Sequence, residues 1–350
     1  MSDLTNSTVP PGWQPGFDTC HSVSPLCPVE LTVYGDYFSL GGSAFYVAAH
    51  SALLVAQIYL GWRARTWSFA GYLGVATAFE IAGYAGRVVM SDNPWSYASF
   101  VIQLLFLILG PTLVAASISV TFKHLVIWHG PEWSFIRPVL YPWVFVGPDI
   151  FSIVIQAAGG GVSASATGGE GPADQGLLDV GDGLLLAGVV FQLANMIFCG
   201  GLMVVYLWRR HHGLKLRATQ GGVSGSSTPT AVPTKPVTPE DKKVQTFIYA
   251  ITAAYIAVII RCVYRIPEQQ KGWGNDLMQN ETLFLILDGA MVLIAVILLT
   301  VFHPNYFFPF LSNNKEKKFS AGPPPGTSGL DVEGYEMRTS STPDQREAAP

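Results

Sequence analysis

Seven long apolar segments alternate with polar ones along this chain. They lie at about 40–61, 68–89, 100–122, 140–158, 184–207, 244–264 and 283–302. Each is close to the ~20 residues that an α-helix needs to cross ~30 Å of hydrocarbon. The fourth is the weakest, because Pro142 and the run Gly147-Pro148-Asp149 interrupt it. The pattern predicts an all-α membrane protein whose seven-transmembrane-helix bundle occupies residues 39–306.

The polar segments outside the bundle indicate its orientation. Residues 1–38 contain no Lys or Arg, and sixteen of the twenty basic residues fall on the opposite side of the predicted bundle, with only Arg265 and Lys271 in outer loops. Basic residues favour the cytoplasmic side. We therefore expect residues 1–38 to form an extracytoplasmic polar tail without a cleavable signal peptide. The composition of 208–243 predicts a cytoplasmic linker loop, and that of 307–350 a disordered cytoplasmic tail.

The composition agrees with a membrane protein and narrows its partners. Hydrophobic residues make up 49% of the chain and charged residues 13%, about half the ~25% of a soluble domain. The net charge of −4 and the lack of a basic patch with interleaved aromatics argue against a nucleic-acid partner. Because Gly159-Gly160-Gly161 is not followed by Lys, it is not a phosphate-binding loop, and we expect no ATP-driven transport by this chain alone. No cofactor is indicated.

Two modifications are predicted on the outer side. Cys20 and Cys27 lie close together in the N-terminal tail, where an oxidising compartment would allow a disulfide, with two free thiols as the alternative. Asn6 and Asn280 each begin a glycosylation acceptor sequence, usable where it faces the lumen or the exterior. Asn280 lies only a few residues from the seventh segment, so Asn6 is the better candidate.

Charged and amide side chains interrupt the apolar segments, mostly in their predicted outer halves. An ionisable side chain inside a membrane helix costs at least ~2.5–3.5 kcal/mol on insertion scales, so such groups face partners or a cavity. Amide contacts between membrane helices average ~0.6 kcal/mol, so the amides can equally serve to fasten helices together. The candidate residues for a polar substrate cavity are Glu80, Arg87, Gln103, Asp149, Gln156, Gln192, Arg261 and Asp288.

Glu80 and Arg87 share one face of the second segment. They are separated by nearly two helical turns, roughly 10 Å along the axis, which is too far for direct contact. We expect Arg87 to reach an acid near the outer helix ends such as Asp288, and Glu80 to point towards Asp149 at mid-membrane. A broken helix is expected at Gly147-Pro148-Asp149, because proline removes a backbone hydrogen bond.

The order of these residues resembles the fungal RTA-like family, also called lipid-translocating exporters. The resemblance begins with Glu80-x-x-Gly83-Tyr84-x-Gly86-Arg87 and covers about residues 33–306. The later matches, in the order of the family, are Gln103 with Pro111 and Ala115-Ala116-Ser117, Asp149-x-x-Ser152-x-x-x-Gln156-x-x-Gly159-Gly160-Gly161, Gly188 with Gln192, Arg261-x-x-Tyr264-Arg265-x-x-Glu268 with Gly272, Glu281 with Asp288, and His303-Pro304. The resemblance implies a fungal protein of the plasma membrane or endomembranes, associated with export of sphingoid long-chain bases and resistance to toxic lipophiles.

Three classes of function are considered for such a chain. The resemblance implies a translocator of membrane lipids or amphiphilic small molecules, and Glu80 or Asp149 would bind the ammonium head of such a cargo. A seven-helix receptor or sensor that signals in lipid or drug stress is the alternative, because the topology and the long basic loop 208–243 also occur in receptors. An enzyme is not expected, since His50 and His303 lie at opposite ends of the chain and suggest no catalytic or metal site.

Overall fold

The structure is a computed structural model, and the residues that it describes all belong to the first of two units, Met1–Ser312 and Asn313–Pro350. The described residues are 15–17, 19–65, 67–129, 140–167, 175–220, 239–270 and 274–304. The predicted acceptor Asn6, the middle of the linker loop and the predicted C-terminal tail lie outside them.

Within these ranges, seven helices are long and apolar enough to cross a membrane. They are α1 (Leu40–Ala64), α2 (Trp67–Asp92), α3 (Tyr97–His129), α4 (Tyr141–Thr167), α5 (Gln175–Gln220), α6 (Pro239–Gln270) and α7 (Glu281–Val301). A π-helical turn, Leu285–Ala290, interrupts α7, and a single helical turn, Asp276–Gln279, precedes it. The β-type pairing in the described chain is one isolated bridge between Ser24 and Cys27. The prediction of an all-α seven-helix membrane protein is confirmed.

The bundle buries charged side chains and exposes apolar ones. Ile58 of α1, Phe151 of α4 and Val204 of α5 are 63%, 58% and 65% exposed, whereas Glu80 and Arg87 are each 1% exposed. A water-soluble helix bundle shows the opposite arrangement, with its apolar side chains facing the core. Together with the lengths of the helices, this arrangement is that of an integral multi-pass membrane protein.

The helices form a closed ring, and α3 also makes contacts across it. Each helix packs against the next one in the chain, α7 closes the ring against α1, and α3 also contacts α6 and α7. The contact between α2 and α3 is especially close, because a Cβ at Gly86 would lie 2.9 Å from the Ser99 carbonyl oxygen. A Cβ at Gly83 would lie 2.7 Å from the Leu107 side chain. Small residues permit this approach, which shuts the α3-facing side chains of α2 off from the surroundings.

The N-terminal segment is attached to one end of the bundle. Cys20 and Cys27 form a disulfide with their Cα atoms 5.8 Å apart, rather than two free thiols. The indole nitrogen of Trp95, between α2 and α3, donates to the Cys27 carbonyl oxygen over 3.1 Å. The backbone N–H of Ser39 donates to both carboxylate oxygens of Glu281, at 3.0 and 2.8 Å. We call this end, where the chain passes from α2 to α3, the disulfide end.

The expected break in α4 is absent, because side chains of α5 replace the missing donor. α4 runs continuously through Pro148. Proline cannot donate to the carbonyl oxygen of Val144, four residues earlier, and the Cys199 thiol contacts this oxygen at 3.9 Å. Asn195 donates to the next carbonyl oxygen, that of Phe145, over 3.1 Å. Backbone groups freed by proline inside a membrane are tolerated when neighbouring helices satisfy them in this way.

α6 is longer at its C-terminal end than the sequence indicated. The apolar pattern predicted an end near 264, yet the helix continues through Pro267 to Gln270. Arg265, which was expected in an outer loop, is instead a buried residue of this helix. The prediction was wrong because the last turns of α6 are polar on the face that packs against α7. A hydropathy pattern alone therefore indicates a loop at these turns.

The half of the bundle away from the disulfide end is mainly apolar. Tyr206 of α5 and Phe247 of α6 belong to a continuous core that also takes in α2, α3 and α7. Three polar side chains in this region form a neutral chain, in which Thr77 donates to Gln57 over 3.0 Å and Gln57 donates to Thr300 over 2.9 Å. The charged side chains are therefore concentrated towards the other half.

Candidate functional site

Seven charged side chains come together in the half of the bundle nearest the disulfide end. α2 contributes two, α6 three and α7 two. Six of them are exposed by 7% or less, and the seventh, Glu281, has a side chain that is 23% exposed. Charges this far from water are tolerated when they are paired. We call this set the charged cluster, and its members are Glu80, Arg87, Arg261, Arg265, Glu268, Glu281 and Asp288.

Asp288 connects the two arginines of α6. Its Oδ1 atom lies 2.9 Å from Nε of Arg261 and 3.0 Å from Nε of Arg265. Arg265 also pairs with Glu268, less than one turn along the same helix, at 3.0 Å. Asp288 belongs to the π-helical turn Leu285–Ala290, a local departure from the α-helix that is frequent at functional sites. α6 and α7 are thus joined by a buried ionic contact at an irregular turn.

Arg261 is also held by a backbone oxygen that a proline leaves free. In a regular helix, residue 111 of α3 would donate its backbone N–H to the carbonyl oxygen of Leu107. Pro111 lies inside α3 and has no N–H. The Arg261 guanidinium donates to this oxygen instead. Pro111 therefore provides an acceptor through which α3 fixes a charged side chain of α6.

Arg87 pairs with a different acid from the one expected. Its guanidinium lies 3.1 Å from the Glu281 carboxylate. The same guanidinium lies over the rings of Phe38 and Phe284, 4.0 and 4.4 Å from their centroids. The expected pairing with Asp288 is wrong, because that residue lies seven positions deeper along α7, where the arginines of α6 engage it. Arg87 ties α2 to the start of α7 and to the N-terminal segment.

Glu80 is the member of the cluster without a direct partner among the described residues. Its side chain is 1% exposed, and neither carboxylate oxygen has a hydrogen-bond donor in the described structure. The carboxyl group lies against Gly110 of α3, where any Cβ would overlap it. Asp288, Arg261 and Arg265 lie within electrostatic range of it, but both arginines contact Asp288. The cluster holds four acids and three arginines, and Glu80 is the surplus acid.

The predicted amides of α4 and α5 lie beside the cluster. Gln192 accepts a hydrogen bond from Gln156 over 3.3 Å and donates to Thr112 of α3 over 3.1 Å. Both glutamines line a narrow cleft of about 10 Å³ between α3, α4, α5 and α6, and Arg261 and Arg265 line its other side. The structure thus brings Gln156 and Gln192 together with two guanidinium groups around one cleft.

The other two predicted residues, Gln103 and Asp149, make contacts outside the cluster. Gln103 donates to the hydroxyl of Tyr34 in the N-terminal segment. Burial raises the pKa of the Tyr34 phenol to about 12, which keeps it neutral at ordinary pH. Asp149 accepts a hydrogen bond from Asn195 over 2.8 Å, and Glu80 makes no hydrogen bond to it. In the described part of the chain, no three His, Cys, Asp or Glu side chains converge as metal ligands do.

Three members of the cluster were not among the predicted site residues, namely Arg265, Glu268 and Glu281. A signal for two of them exists in the sequence, because Arg261, Arg265 and Glu268 follow one another at spacings of four and three residues and so share a helix face. Pro267 obscured this signal, since proline commonly marks the end of a helix. In the sequence, Glu281 stands out only as part of a glycosylation acceptor and of the family pattern.

Several known yeast proteins are similar to this chain over nearly two thirds of its length. The chain is 27% identical over 242 residues to the sphingoid long-chain base transporter RSB1 of Saccharomyces cerevisiae, and the match spans 65% of this chain and 62% of that protein. From the same yeast, protoporphyrin uptake protein 1 is 26% identical over 225 residues (63% of this chain, 64% of the relative), and protein RTM1 is 25% identical over 223 residues (63% of each). The chain thus spans less than two thirds of the length of these relatives. No solved structure matches it.

A family model also matches this chain. The model described as RTA1 like protein matches residues 73–310 of this chain, which is more than half of it. The matched stretch begins within α2, ends beyond α7, and contains every member of the charged cluster, from Glu80 to Asp288. The resemblance seen in the sequence is confirmed, and the chain belongs to the RTA1-like protein family.

Proposed function

We propose that this protein translocates amphiphilic lipids across a membrane, with sphingoid long-chain bases or toxic lipophilic compounds of similar form as its cargo. One relative is named a sphingoid long-chain base transporter, which supports a role in membrane lipid transport. The relative named for protoporphyrin uptake also moves a molecule that is largely apolar with polar groups.

The unpaired carboxyl group of Glu80 is the observation that carries the proposal. A sphingoid base has an ammonium head and a long alkyl tail. A buried acid without a counter-ion, in a cluster with one more acid than arginine, favours a cation. Ionisable residues at membrane depth that lack a structural partner commonly mark the path of an ion or a substrate.

The size of the cleft indicates which part of a lipid would enter the protein and which part would stay in the bilayer. Its volume of about 10 Å³ is close to the space of a single water and far below the ~300–1,000 Å³ typical of small-molecule pockets. A head group would therefore enter only if the surrounding helices separate, and the cleft excludes an alkyl chain. Ile108 and Val189 give the cleft an apolar side next to its amides and guanidinium groups. The tail would therefore remain among the exposed apolar side chains of the outer helix faces.

The proposal includes three features expected from the sequence. Cargo movement does not use ATP hydrolysis by this chain, because the sequence has no phosphate-binding loop. The protein acts as a transporter without catalysing a chemical reaction. The disulfide end faces the outside of the plasma membrane, in keeping with the distribution of Lys and Arg.

Transport by the purified protein in lipid vesicles tests the proposal. We expect labelled sphinganine to cross vesicle membranes faster with the wild-type protein than without it. Glu80→Gln should lower the rate about tenfold or more, since a hydrogen bond to a charged group contributes ~1.5–3 kcal/mol and ~1.4 kcal/mol is a factor of ten. Asp92→Asn is the control, because it removes an exposed carboxylate at the end of the same helix.

Two outcomes would contradict the proposal. One is equal transport by the wild type and a folded Glu80→Gln variant. The other is a lack of transport by the wild type, and a cargo-dependent cellular response without transport would favour the receptor or sensor.

A further inference from the structure

We propose that Glu80 exchanges a proton for an organic cation: it holds a proton while the charged cluster is empty and releases it when an ammonium head group binds. The choice of an ammonium ligand rests on the proposed function. The exchange itself rests on the contacts around Glu80.

The first step in the argument is that every arginine of the cluster is engaged elsewhere. Arg87 pairs with Glu281 and lies over two aromatic rings. The two arginines of α6 both contact Asp288, at 2.9 and 3.0 Å. Glu80 makes no hydrogen bond to any of them. A cation for Glu80 must therefore come from outside the described structure, or an existing ion pair must break.

The second step concerns what surrounds the carboxyl group. α3 presents Gly110, which leaves room for the carboxyl group but offers no donor. The hydroxyl of Tyr84, one turn along α2, also has no hydrogen-bond partner among the described residues. The titratable and charged groups that face Glu80 are Tyr84 on its own helix, Tyr46 and His50 of α1 stacked behind that tyrosine, Arg261 and Arg265 of α6, and Asp288 of α7.

The third step is energetic. A bare carboxylate away from water costs several kcal/mol unless it is paired. A proton removes this cost while the space beside Gly110 stays unchanged. An ammonium group also removes it, because it supplies the positive charge that the cluster lacks. The two occupants exclude each other, since a protonated carboxyl group no longer attracts a cation.

The exchange is balanced in atoms and charge. The carboxyl group of Glu80 begins as COOH, and the cation arrives as an ammonium group. The O–H bond breaks, the proton leaves to water, and the carboxylate pairs with the ammonium group. The site has the same net charge before and after. One proton is released for each cation bound, so a proton gradient would drive the cation in the opposite direction.

The count of protons released on binding tests the proposal. The probe is N,N,N-trimethylsphinganine, a permanently charged amphiphile that has no proton to lose from its own head group. Calorimetric titration of the purified protein in detergent, in two buffers of different ionisation enthalpy, gives the number of protons released for each probe bound. We expect up to one proton for the wild type and for Asp92→Asn, which changes an exposed acid at the end of the same helix, and none for Glu80→Gln.

A second measurement does not depend on the variant's folding. Infrared difference spectra of the wild type, recorded with and without the probe, should show loss of the C=O stretch of a protonated carboxyl group. The same spectra should show a gain of the carboxylate bands. Labelled Glu side chains would assign the change to glutamate rather than aspartate.

The outcomes separate this proposal from the proposed function. Probe binding without proton release, or equal release by Glu80→Gln, overturns the exchange. Failure of the wild type to bind the probe overturns it as well. Transport of labelled sphinganine that occurs in any of these cases leaves the proposed function standing. Absence of both binding and transport contradicts both.

Discussion

At the scale of single residues, Arg87 joins three distant parts of the chain. It pairs with Glu281 at the start of α7 and lies between Phe38 of the N-terminal segment and Phe284. A flat guanidinium can make a carboxylate contact at its edge and aromatic contacts on its faces at the same time, whereas an ammonium group cannot. The shape of this side chain therefore matters as well as its charge.

Replacement of Arg87 by lysine tests this point. Arg87→Lys keeps the charge but loses the stacked geometry, and cation–π contacts contribute about 0.5–2 kcal/mol. We expect the free energy of unfolding to fall by about 1–2 kcal/mol, measured by thermal unfolding in detergent. Arg63→Lys on the exposed part of α1 is the control. Equal stability of the two variants would show that stacking does not contribute.

Sequence reasoning identified most of the charged residues but not their pairings. Glu80, Arg87, Arg261 and Asp288 were all predicted as a site, because a charge inside an apolar segment is visible without a structure. The partner of Arg87 was wrong, since pairing depends on how deep each helix lies relative to its neighbours. Helix depth and rotation are set by packing rather than by the length of an apolar segment.

At the scale of helices, α3 and α4 show two results of the same sequence feature. Pro111 and Pro148 each free a carbonyl oxygen four residues earlier. A charged guanidinium from α6 takes the first, and a thiol from α5 contacts the second. The sequence predicts that an acceptor becomes free at each proline. It does not predict which helix supplies the donor, because this depends on contacts between segments far apart in the chain.

The close contact between α2 and α3 gives a prediction for glycine. Gly86→Ala places a Cβ 2.9 Å from the backbone oxygen of Ser99, so the two helices must separate. Overpacking of this kind costs ~1–3 kcal/mol, and we expect a lower unfolding temperature. Gly71→Ala on the same helix has nothing within 4 Å of the added atom. That control should be neutral or slightly stabilising, since alanine favours a helix over glycine by ~0.5–1 kcal/mol.

Thermal unfolding of both glycine variants in the same detergent tests whether Gly86→Ala is the less stable of the two. If Gly86→Ala were as stable as Gly71→Ala, the distance between α2 and α3 would be larger than described. A lower stability of Gly71→Ala than of the wild type would show that replacing an exposed helical glycine is itself destabilising in this protein.

At the scale of the whole molecule, the number of spans and the class of fold were predictable. Apolar segments of about twenty residues are a direct physical requirement of the bilayer, and all seven correspond to helices. The ends of the helices were less predictable. α5 runs from Gln175 to Gln220, well beyond the predicted 184–207. The additional turns are polar, and a helix that leaves the hydrocarbon need not stop there.

Glycosylation tests the orientation that the basic residues indicate. With the N-terminus outside, Asn6 should carry a glycan when the protein is made in a eukaryotic cell. Endoglycosidase treatment should then reduce the apparent mass, and Asn6→Gln should abolish this shift. Asn280→Gln should leave the shift unchanged, because the Asn280 side chain caps the start of α7 through the Leu283 N–H, at 3.1 Å. A wild-type protein with no shift, or with a shift lost only in Asn280→Gln, would contradict the prediction.

The pairing of Arg87 with Glu281 has a consequence for the synthesis and membrane insertion of the protein. The two residues are 194 positions apart in the chain. At ~5–20 residues per second, a ribosome needs roughly 10–40 s to travel from one to the other. During that interval α2 has already been made, while the carboxylate that will neutralise its arginine does not yet exist. Until α7 is synthesised, the nascent protein must therefore hold the charge of Arg87 without its carboxylate partner. In a chain truncated before α7, α2 would carry an unpaired arginine, which disfavours its insertion into the bilayer.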